Sequence, residues 1–305
     1  MDPTEITFDV SDRFGAPTTI AGSVFAPDRT ADRRPVLVCL PGGTYTRGYW
    51  DLRVPGLSGY SFARTAAAAG FTVVTLDGLG TGESSRPDTD VDLATQATAA
   101  AEVLAQLPAL LGVDAPFVAV GHSMGGYLAL AQQAEHGSYA GLAILGTTNL
   151  PVVQLDLPDE LVSAAATAEG RVAVIDQIAS GIPVPYIDGD RAPMRSWFHL
   201  DDVPAAVIEA DEAETLTVVP RRCAAESSTP GATIDAAGSV RVPVFVGYGV
   251  VDVSPDPHAD AACYRSSSDV TLYILEGSAH CHNMAGTRHL HWDRLLGWCP
   301  SAVRT

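Results

Sequence analysis

The stretch Phe117-Val-Ala-Val-Gly-His-Ser-Met-Gly-Gly-Tyr127 joins an apolar run to a glycine-rich centre and an Ala-rich segment. We predict a buried strand, a tight turn and a helix in that order. Gly121 and Gly125 flank Ser123 in the pattern G-x-S-x-G. Side chains at the two glycines would collide with the strand and the helix, so glycine leaves the serine room at a sharp elbow. The pattern predicts that Ser123 is an exposed nucleophile at the positive end of a helix.

Short apolar runs on both sides of this stretch alternate with longer segments of helical period. Runs of continuous apolar residues are typical of parallel strands that are buried on both faces. The predicted strands are Val36–Leu40, Phe71–Leu76, Phe117–Val120, Leu142–Leu145, Val242–Val246 and Val270–Leu275. The predicted helices cover about residues 61–69, 92–111, 125–136, 257–266 and 287–298. This alternation indicates an α/β fold with a mostly parallel, doubly wound sheet.

Two regions depart from the alternation. Near the N-terminus, residues 6–10 and 18–25 have the period of two antiparallel strands joined near Gly15. Between residues 149 and 237, two helical patterns at about 158–178 and 204–218 replace the strand–helix units. We therefore expect residues 1–148 and 238–305 to form a core domain and residues 149–237 to be an inserted helical cap. An insertion at the carboxyl edge of such a sheet would cover the ligand crevice.

With these motifs, nearly the whole chain resembles the α/β-hydrolase fold family, and within it a serine esterase or lactonase with a helical cap. The resemblance implies the chain order nucleophile, acid, histidine. Gly249-Val-Val-Asp252 resembles the family's G-x-x-D turn, and Gly277-Ser-Ala-His280 resembles its G-x-x-H turn. It thus implies a catalytic triad of Ser123, Asp252 and His280, in which the acid orients the base and the base moves the proton.

Neighbouring residues compete for two of these roles. Asp256 and Asp260 lie beyond the turn that carries Asp252, and the motif's position favours Asp252. His282 lies two residues beyond His280, and the motif's spacing favours His280.

The loop Pro41-Gly-Gly-Thr44 follows the predicted strand Val36–Leu40. Relatives commonly have His-Gly at the start of this loop. By alignment, the resemblance implies an oxyanion hole that consists of the backbone N–H groups of Gly43 and Met124. The proline leaves the choice between Gly43 and Thr44 open.

Other sequence patterns suggest chemistry but do not support it. Asp77-Gly-Leu-Gly-Thr-Gly-Glu-Ser84 is followed by a polar loop rather than a helix, so we predict a structural turn and no dinucleotide site. A metal site at His280, Cys281, His282, His289 and His291 is disfavoured, because a triad histidine cannot also bind a metal. Five scattered cysteines without a C-x-x-C pair suggest reduced, mostly buried thiols. We predict no metal and no cofactor.

The charge and composition exclude several classes of partner. The 305 residues carry a formal net charge of −18, and all 18 basic residues are arginine. Such a field repels nucleic acid and anionic membrane surfaces. No apolar run is long enough to span a bilayer, and the first residues lack a signal-peptide pattern, so we expect a cytoplasmic protein. The sequence does not indicate the oligomeric state, so a homodimer is expected only because homodimers are the commonest assembly.

The predicted cap also bears on the substrate. Residues 149–237 contain 15 acidic and 5 basic residues, a field that repels acyl-CoA and phosphorylated substrates. The apolar residues that suggest a lipophilic pocket, at least half of them expected in the cap's own core, are Leu150, Leu155, Leu161, Ile178, Met194, Trp197, Phe198 and Ile208. We therefore expect hydrolysis of a neutral, lipophilic ester or lactone through an acyl-enzyme on Ser123.

Three alternatives stay open: hydrolysis of thioesters or of carbon–carbon bonds next to a ketone, acyl transfer or perhydrolysis on the same triad, and a non-catalytic binding module. The resemblance disfavours epoxide hydrolase and haloalkane dehalogenase chemistry, because those relatives use an aspartate nucleophile.

Overall fold

The computed structural model describes residues 2–27 and 34–303, and within them a sheet of eight strands forms the centre of the molecule. Its strands are β1 (Thr4–Asp9), β2 (Thr19–Phe25), β3 (Val36–Leu40), β4 (Val73–Leu76), β5 (Phe117–His122), β6 (Gly141–Leu145), β9 (Val244–Gly249) and β10 (Val270–Leu275). The strands β7 (Tyr186–Ile187) and β8 (Val219–Pro220) form a separate pair. The order is β1-β2-β4-β3-β5-β6-β9-β10. β2 is the one strand of this sheet that runs opposite to the other seven, so the predicted mostly parallel sheet is confirmed.

Helices connect the strands and cover the sheet. They are α1 (Ser11–Phe14), α2 (Phe62–Ala68), α3 (Leu93–Leu111), α4 (Met124–His136), α5 (Asp159–Ala164), α6 (Ala168–Ser180), α7 (Arg195–Phe198), α8 (Ala205–Thr215), α9 (Arg221–Ser228), α10 (Ile234–Ser239), α11 (Pro257–Ala261) and α12 (Arg288–Ala302). The long helix α3 has sequence-encoded ends. The carboxylate of Asp92 accepts from the Thr95 N–H at 2.8 Å at its start, and Gly112 adopts a left-handed conformation at its end. None of these helices is long and apolar enough to cross a membrane.

Alternate residues of the central strands face opposite sides of the sheet. In β3, Val38 and Leu40 belong to a hydrophobic cluster with residues of α3 and α4. Leu37 and Cys39 belong to a second cluster, with residues of α2 and α12. Burying each large apolar side chain contributes roughly 1.5–3 kcal/mol, so both faces of the sheet hold the layers together.

The carboxyl ends of β3, β5, β9 and β10 lie at one edge, because these strands run parallel. The loop at 41–44 follows β3, and Ser123 follows β5 directly. Asp252 and His280 come shortly after β9 and β10. The topology therefore gathers the predicted site residues at the edge where α/β proteins bind ligands.

Residues 149–237, which we call the inserted segment, lie between β6 and β9. They hold α5 to α9, the start of α10, and the antiparallel pair of β7 and β8. The single pattern expected at 158–178 is two helices, α5 and α6. The hydroxyl of Thr167 accepts from the Gly170 N–H at 3.0 Å and starts α6 anew.

Some predicted bounds were also wrong. The helix expected at 257–266 ends at Ala261, because the chain continues through turns in which Cys263 N–H donates to the Asp260 carbonyl. The strand expected from Phe71 begins at Val73.

Candidate active site

The elbow at Ser123 is a strained turn between β5 and α4. Ser123 has φ 52° and ψ −120°, a backbone conformation that residues with a side chain rarely adopt. Its N–H donates to the Leu145 carbonyl at 2.7 Å, which ties the turn to β6. A Cβ atom at Gly121 would lie 2.4 Å from the Gly125 carbonyl oxygen, and one at Gly125 would lie 2.1 Å from that of Leu40. The glycines are therefore required by the close approach of neighbouring backbone.

Asp252 is a buried carboxylate with four hydrogen-bond donors. Its Oδ1 lies 2.7 Å from Nδ1 of His280 and accepts from the Val253 N–H at 2.7 Å. Its Oδ2 lies 2.7 Å from Nε2 of His282 and accepts from the Gly249 N–H at 2.8 Å. Burial by itself would raise the pKa of Asp252. The two imidazoles outweigh burial and hold that pKa well below its usual range, so the group is a carboxylate at neutral pH.

Both candidate histidines contact the acid, but they differ in what else they contact. His280 lines a cavity together with Ser123. His282 is 1% exposed and is not one of the described residues around that cavity. Gly146 follows β6 with φ 57°, and a Cβ atom there would lie 3.0 Å from the His280 ring. This glycine leaves room for the imidazole beside Asp252, and the sequence patterns did not single it out.

The loop that carries His280 is held from two sides. The N–H groups of His280 and Cys281 donate to the carbonyls of Trp197 at 3.1 Å and Phe198 at 2.9 Å, both in the inserted segment. The carbonyl of His280 lies 2.8 Å from Nε2 of His122, within the elbow motif. A carbonyl only accepts, so His122 carries its proton on Nε2. Burial, together with His280 and His282, keeps the pKa of His122 well below its ordinary value, so that ring is neutral.

The loop after β3 lies against the elbow. A Cβ atom at Gly42 would lie 3.0 Å from Cβ of Ser123, and one at Gly43 would lie 3.8 Å from Sδ of Met124. Within residues 2–27 and 34–303, the backbone N–H groups of Gly43, Thr44 and Met124 donate to no protein acceptor. Such free donors beside a nucleophile are suited to bind an oxyanion. The choice between Gly43 and Thr44 stays open.

The cavity beside Ser123 has a volume of about 220 Å³. The inserted segment contributes much of its wall, through Val152, Leu155, Met194, Trp197, Phe198, Val219, Ala224, Ser227 and Ser228. Four of the eight apolar residues singled out in the sequence line it: Leu155, Met194, Trp197 and Phe198. Among the described lining residues there is no Asp, Glu, Arg or Lys. The cavity is therefore suited to uncharged, largely apolar molecules.

A sequence model of the alpha/beta hydrolase family matches residues 37–291. The chain belongs to this family.

Solved structures share the fold of this family member at low sequence identity. A thermophilic esterase from Thermogutta terrifontis is 19% identical over 100% of both chains, with a TM-score of 0.66. A proline iminopeptidase from Mycobacterium smegmatis is 17% identical over 98% of this chain and 99% of its own, with a TM-score of 0.63. A soluble variant of monoglyceride lipase from Saccharomyces cerevisiae is 15% identical over 100% and 97%, with a TM-score of 0.71. No curated protein matches the sequence. Family membership supports a hydrolase activity, and these neighbours share the fold.

The other carboxylates near Asp252 in this hydrolase family member have structural partners. Asp256 accepts from the His258 N–H at 3.0 Å and starts α11. Asp260 accepts from the hydroxyl of Thr148 and from the Asn149 N–H, each at 2.7 Å. Neither aspartate is among the described residues that line the cavity. Their hydrogen bonds favour Asp252 as the acid.

The remaining candidate motifs belong to the scaffold. Asp77, in the glycine-rich turn after β4, is 1% exposed and accepts from the Arg47 and Glu83 N–H groups at 2.6 and 3.0 Å. All five cysteines are free and buried, as expected. In the described part of the chain, no three His, Cys, Asp or Glu side chains are arranged to hold a metal ion.

Proposed function

We propose that this chain is a serine hydrolase that cleaves a neutral, lipophilic carboxylic ester or lactone through an acyl-enzyme on Ser123. One observation carries the proposal: His280 pairs with the buried carboxylate of Asp252 and lines the same uncharged cavity as Ser123. A serine at a strained elbow, beside a histidine that a carboxylate orients, is the arrangement that acyl transfer requires.

In the proposed cycle, Asp252 holds the proton of His280 on Nδ1, which leaves Nε2 free to act as a base. Nε2 takes the proton of the Ser123 hydroxyl as Oγ attacks the carbonyl carbon. His280 then gives that proton to the leaving alcohol. Water enters, loses a proton to His280 and releases the acid, and the proton returns to Ser123.

The negative charge of the tetrahedral intermediate requires donors that are fixed before the reaction. The free N–H groups of Gly43 and Met124 are the proposed pair. Met124 is the first residue of α4, so the positive end of that helix adds to the stabilisation.

The size and lining of the cavity bound the substrate. With a volume of about 220 Å³, the cavity has room for a small or medium-sized acyl or lactone part. The described lining has no Arg or Lys to pair with a phosphate or carboxylate and no Asp or Glu to pair with an ammonium group. We propose that the inserted segment acts as a cap, because its side chains close the apolar side of the cavity.

A two-part experiment tests this function. Purified protein is labelled with a fluorophosphonate and then assayed on p-nitrophenyl esters of two to sixteen carbons, on aliphatic and aromatic lactones, and on thioesters. We expect labelling on the peptide that contains Ser123, and the highest kcat/KM with medium-chain esters or lactones. Absence of labelling overturns the serine mechanism, and a clear preference for thioesters or charged substrates overturns the substrate class.

A further inference from the structure

We propose that Arg191 of the inserted segment is a positioning residue for the oxyanion hole, which it maintains by holding Thr44 in a left-handed conformation. The inference rests on the proposed function. Its starting observation is that, within residues 2–27 and 34–303, only Thr44 (φ 68°) and Ser123 (φ 52°) combine a side chain with a positive φ. Each is the chain neighbour of a proposed oxyanion donor, since Thr44 follows Gly43 and Ser123 precedes Met124.

Thr44 is an unfavourable residue for its conformation. Its side chain is branched at Cβ, which makes a positive φ more strained than it is for asparagine or glycine. Strained backbone persists only when the surrounding structure enforces it. Within the loop, the Tyr45 N–H closes the turn by donating to the Gly42 carbonyl at 3.3 Å, and the hydrogen bonds to Thr44 itself come from the inserted segment.

Arg191 makes the most direct of these contacts. Its Nη2 donates to the Thr44 carbonyl at 2.6 Å, and its Nε donates to the Thr44 hydroxyl at 3.1 Å. The Thr217 N–H donates to the same carbonyl at 3.0 Å. The orientation of the peptide that follows Thr44 is thus fixed by two donors from outside the loop. The orientation of the peptide before it, which joins Thr44 to Gly43 and so affects where the proposed donor Gly43 lies, follows from φ.

Arg191 is in turn held by a buried acid. Its Nη1 donates to Oδ2 of Asp211 at 2.8 Å, and neither side chain is more than 1% exposed. The guanidinium lies 3.5 Å from the centre of the Tyr45 ring, and the Tyr45 hydroxyl donates to the same Asp211 oxygen at 2.8 Å. Replacing a buried ion pair by apolar residues is often neutral for stability, so such a pair is weak evidence of a stabilising role. What this pair does is fix three of the five guanidinium donors in directions that reach Thr44 and Thr215.

The chain offers a matched control four residues further on. Arg195 pairs with Glu212, the residue next to Asp211, through both carboxylate oxygens. That pair joins α7 to α8, its side chains are 52% and 24% exposed, and none of its described contacts reaches residues 41–45. R195Q therefore removes an ion pair of the same segment without touching the oxyanion loop.

The test compares R191Q in two backgrounds, T44A and T44G. Both remove the Thr44 hydroxyl, but only glycine adopts a positive φ without strain. We measure the second-order rate of fluorophosphonate labelling, kcat and KM on the best ester, and the melting temperature. We expect R191Q to slow labelling at least tenfold in the T44A background and less than threefold in the T44G background. In each case the loss lies in kcat, with KM within twofold, whereas R195Q changes labelling less than twofold.

A second variant guards against misfolding. R191K keeps a charge for Asp211, but its three donors lie on a single nitrogen and cannot reach both Asp211 and the two Thr44 oxygens as the planar guanidinium does, so we expect it to melt within a few degrees of the wild type while labelling still slows at least fivefold. Equal losses on R191Q in both backgrounds overturn the proposal. Wild-type protein that neither labels nor cleaves any ester overturns the proposed function instead. In that case the melting temperatures test whether Arg191 holds Thr44 in its left-handed conformation: R191Q must lower them more in the T44A than in the T44G background.

Discussion

The Nδ1 atom of His280 lies 2.7 Å from Oδ1 of Asp252, at a position where neither side chain is more than 6% exposed. A carboxylate only accepts hydrogen bonds, so Nδ1 of His280 carries a proton, and in the neutral ring that proton is the only one. Backbone contacts from Trp197 and a ring contact from His122 hold the same loop. The position of His280, the proposed base, is therefore fixed before any substrate binds, which makes the roles of individual side chains testable.

Replacing Ser123 by alanine removes the proposed nucleophile and little else. We expect S123A to lose at least about a thousandfold in kcat and all fluorophosphonate labelling, because it removes the oxygen that forms the proposed acyl-enzyme. Circular dichroism and the melting temperature should match the wild type. Ser227, a hydroxyl that also lines the cavity, supplies the control, and S227A should stay within a few fold of wild-type kcat. Labelling that survives in S123A would assign the nucleophile elsewhere.

The two histidines on Asp252 should separate cleanly in activity. H280Q should lose at least about a thousandfold in kcat, since it removes the base. H282Q removes one donor from Oδ2 of Asp252, but the Gly249 N–H at 2.8 Å remains. We expect H282Q to lower the free energy of unfolding by about 1–3 kcal/mol and kcat by roughly tenfold.

Comparison of kcat and unfolding for the same two proteins decides between the histidines. If H282Q is the inactive variant and H280Q retains activity, the roles are exchanged and the proposed triad is wrong. If both are inactive and both fold, Asp252 requires both imidazoles to work.

The elements that determine the fold could be predicted because their burial is local in the sequence. Continuous apolar runs such as Val36–Leu40 are buried on both faces, so each run predicts a central strand without reference to the rest of the chain. The elbow is equally local, because Gly121, Ser123 and Gly125 are needed within one turn. Predicting Asp252 and His280 also required the order in which the family's catalytic residues occur along the chain.

Much of the site around these residues has no local signal. The contact between the His280 N–H and the Trp197 carbonyl joins segments more than eighty residues apart, and α7, which contains Trp197, has only four residues. A helix that short shows no period. The bond from His282 to Asp252 and the clamp of Arg191 on Thr44 depend on such tertiary contacts, so sequence patterns could not reveal them.

His291 should make the protein sensitive to acid. It is 1% exposed, and both of its ring nitrogens lack a hydrogen-bond partner in the described structure. Burial keeps the pKa of His291 well below its ordinary 6.5. His282 lowers this pKa further, and Asp252 raises it by a smaller amount. The unfolded chain therefore binds more protons than the folded one as the pH falls below about 6.5, and the free energy of unfolding decreases in that range.

H291L replaces the buried imidazole by an apolar side chain of similar size. It removes both the pH-dependent protonation and the two ring nitrogens that lack a partner among the described residues. We expect it to raise the free energy of unfolding by about 1 kcal/mol at pH 7.5 and to make the decline toward pH 5 shallower. Urea unfolding at both values measures the change. His258 is exposed, and H258Q should keep the wild-type pH dependence. A variant H291L with an unchanged decline would show that other groups cause it.

Glu226 should have the opposite dependence on pH. It lies on α9, the helix that supplies Ala224, Ser227 and Ser228 to the cavity wall, and accepts from the Leu93 N–H at 2.7 Å. Burial is the main cause that raises its pKa to about 7, with Asp92 adding to burial and the Leu93 hydrogen bond opposing it. The folded protein thus holds more protons than the unfolded chain between the ordinary value of 4.5 and about 7, and the free energy of unfolding falls as the pH rises through that window.

Glutamine at this position tests the sign directly. E226Q keeps an oxygen that accepts from the Leu93 N–H but cannot ionise, so it avoids the cost of a buried charge above pH 7. We expect E226Q to be more stable than the wild type by about 2 kcal/mol at pH 8, with the difference vanishing below pH 4.5, in urea unfolding across that range. The exposed Glu169 provides the matched control, because E169Q should not alter the pH profile. An E226Q protein that gains stability equally at every pH would mean that the ionisation of Glu226 is not what weakens the contact between α9 and α3.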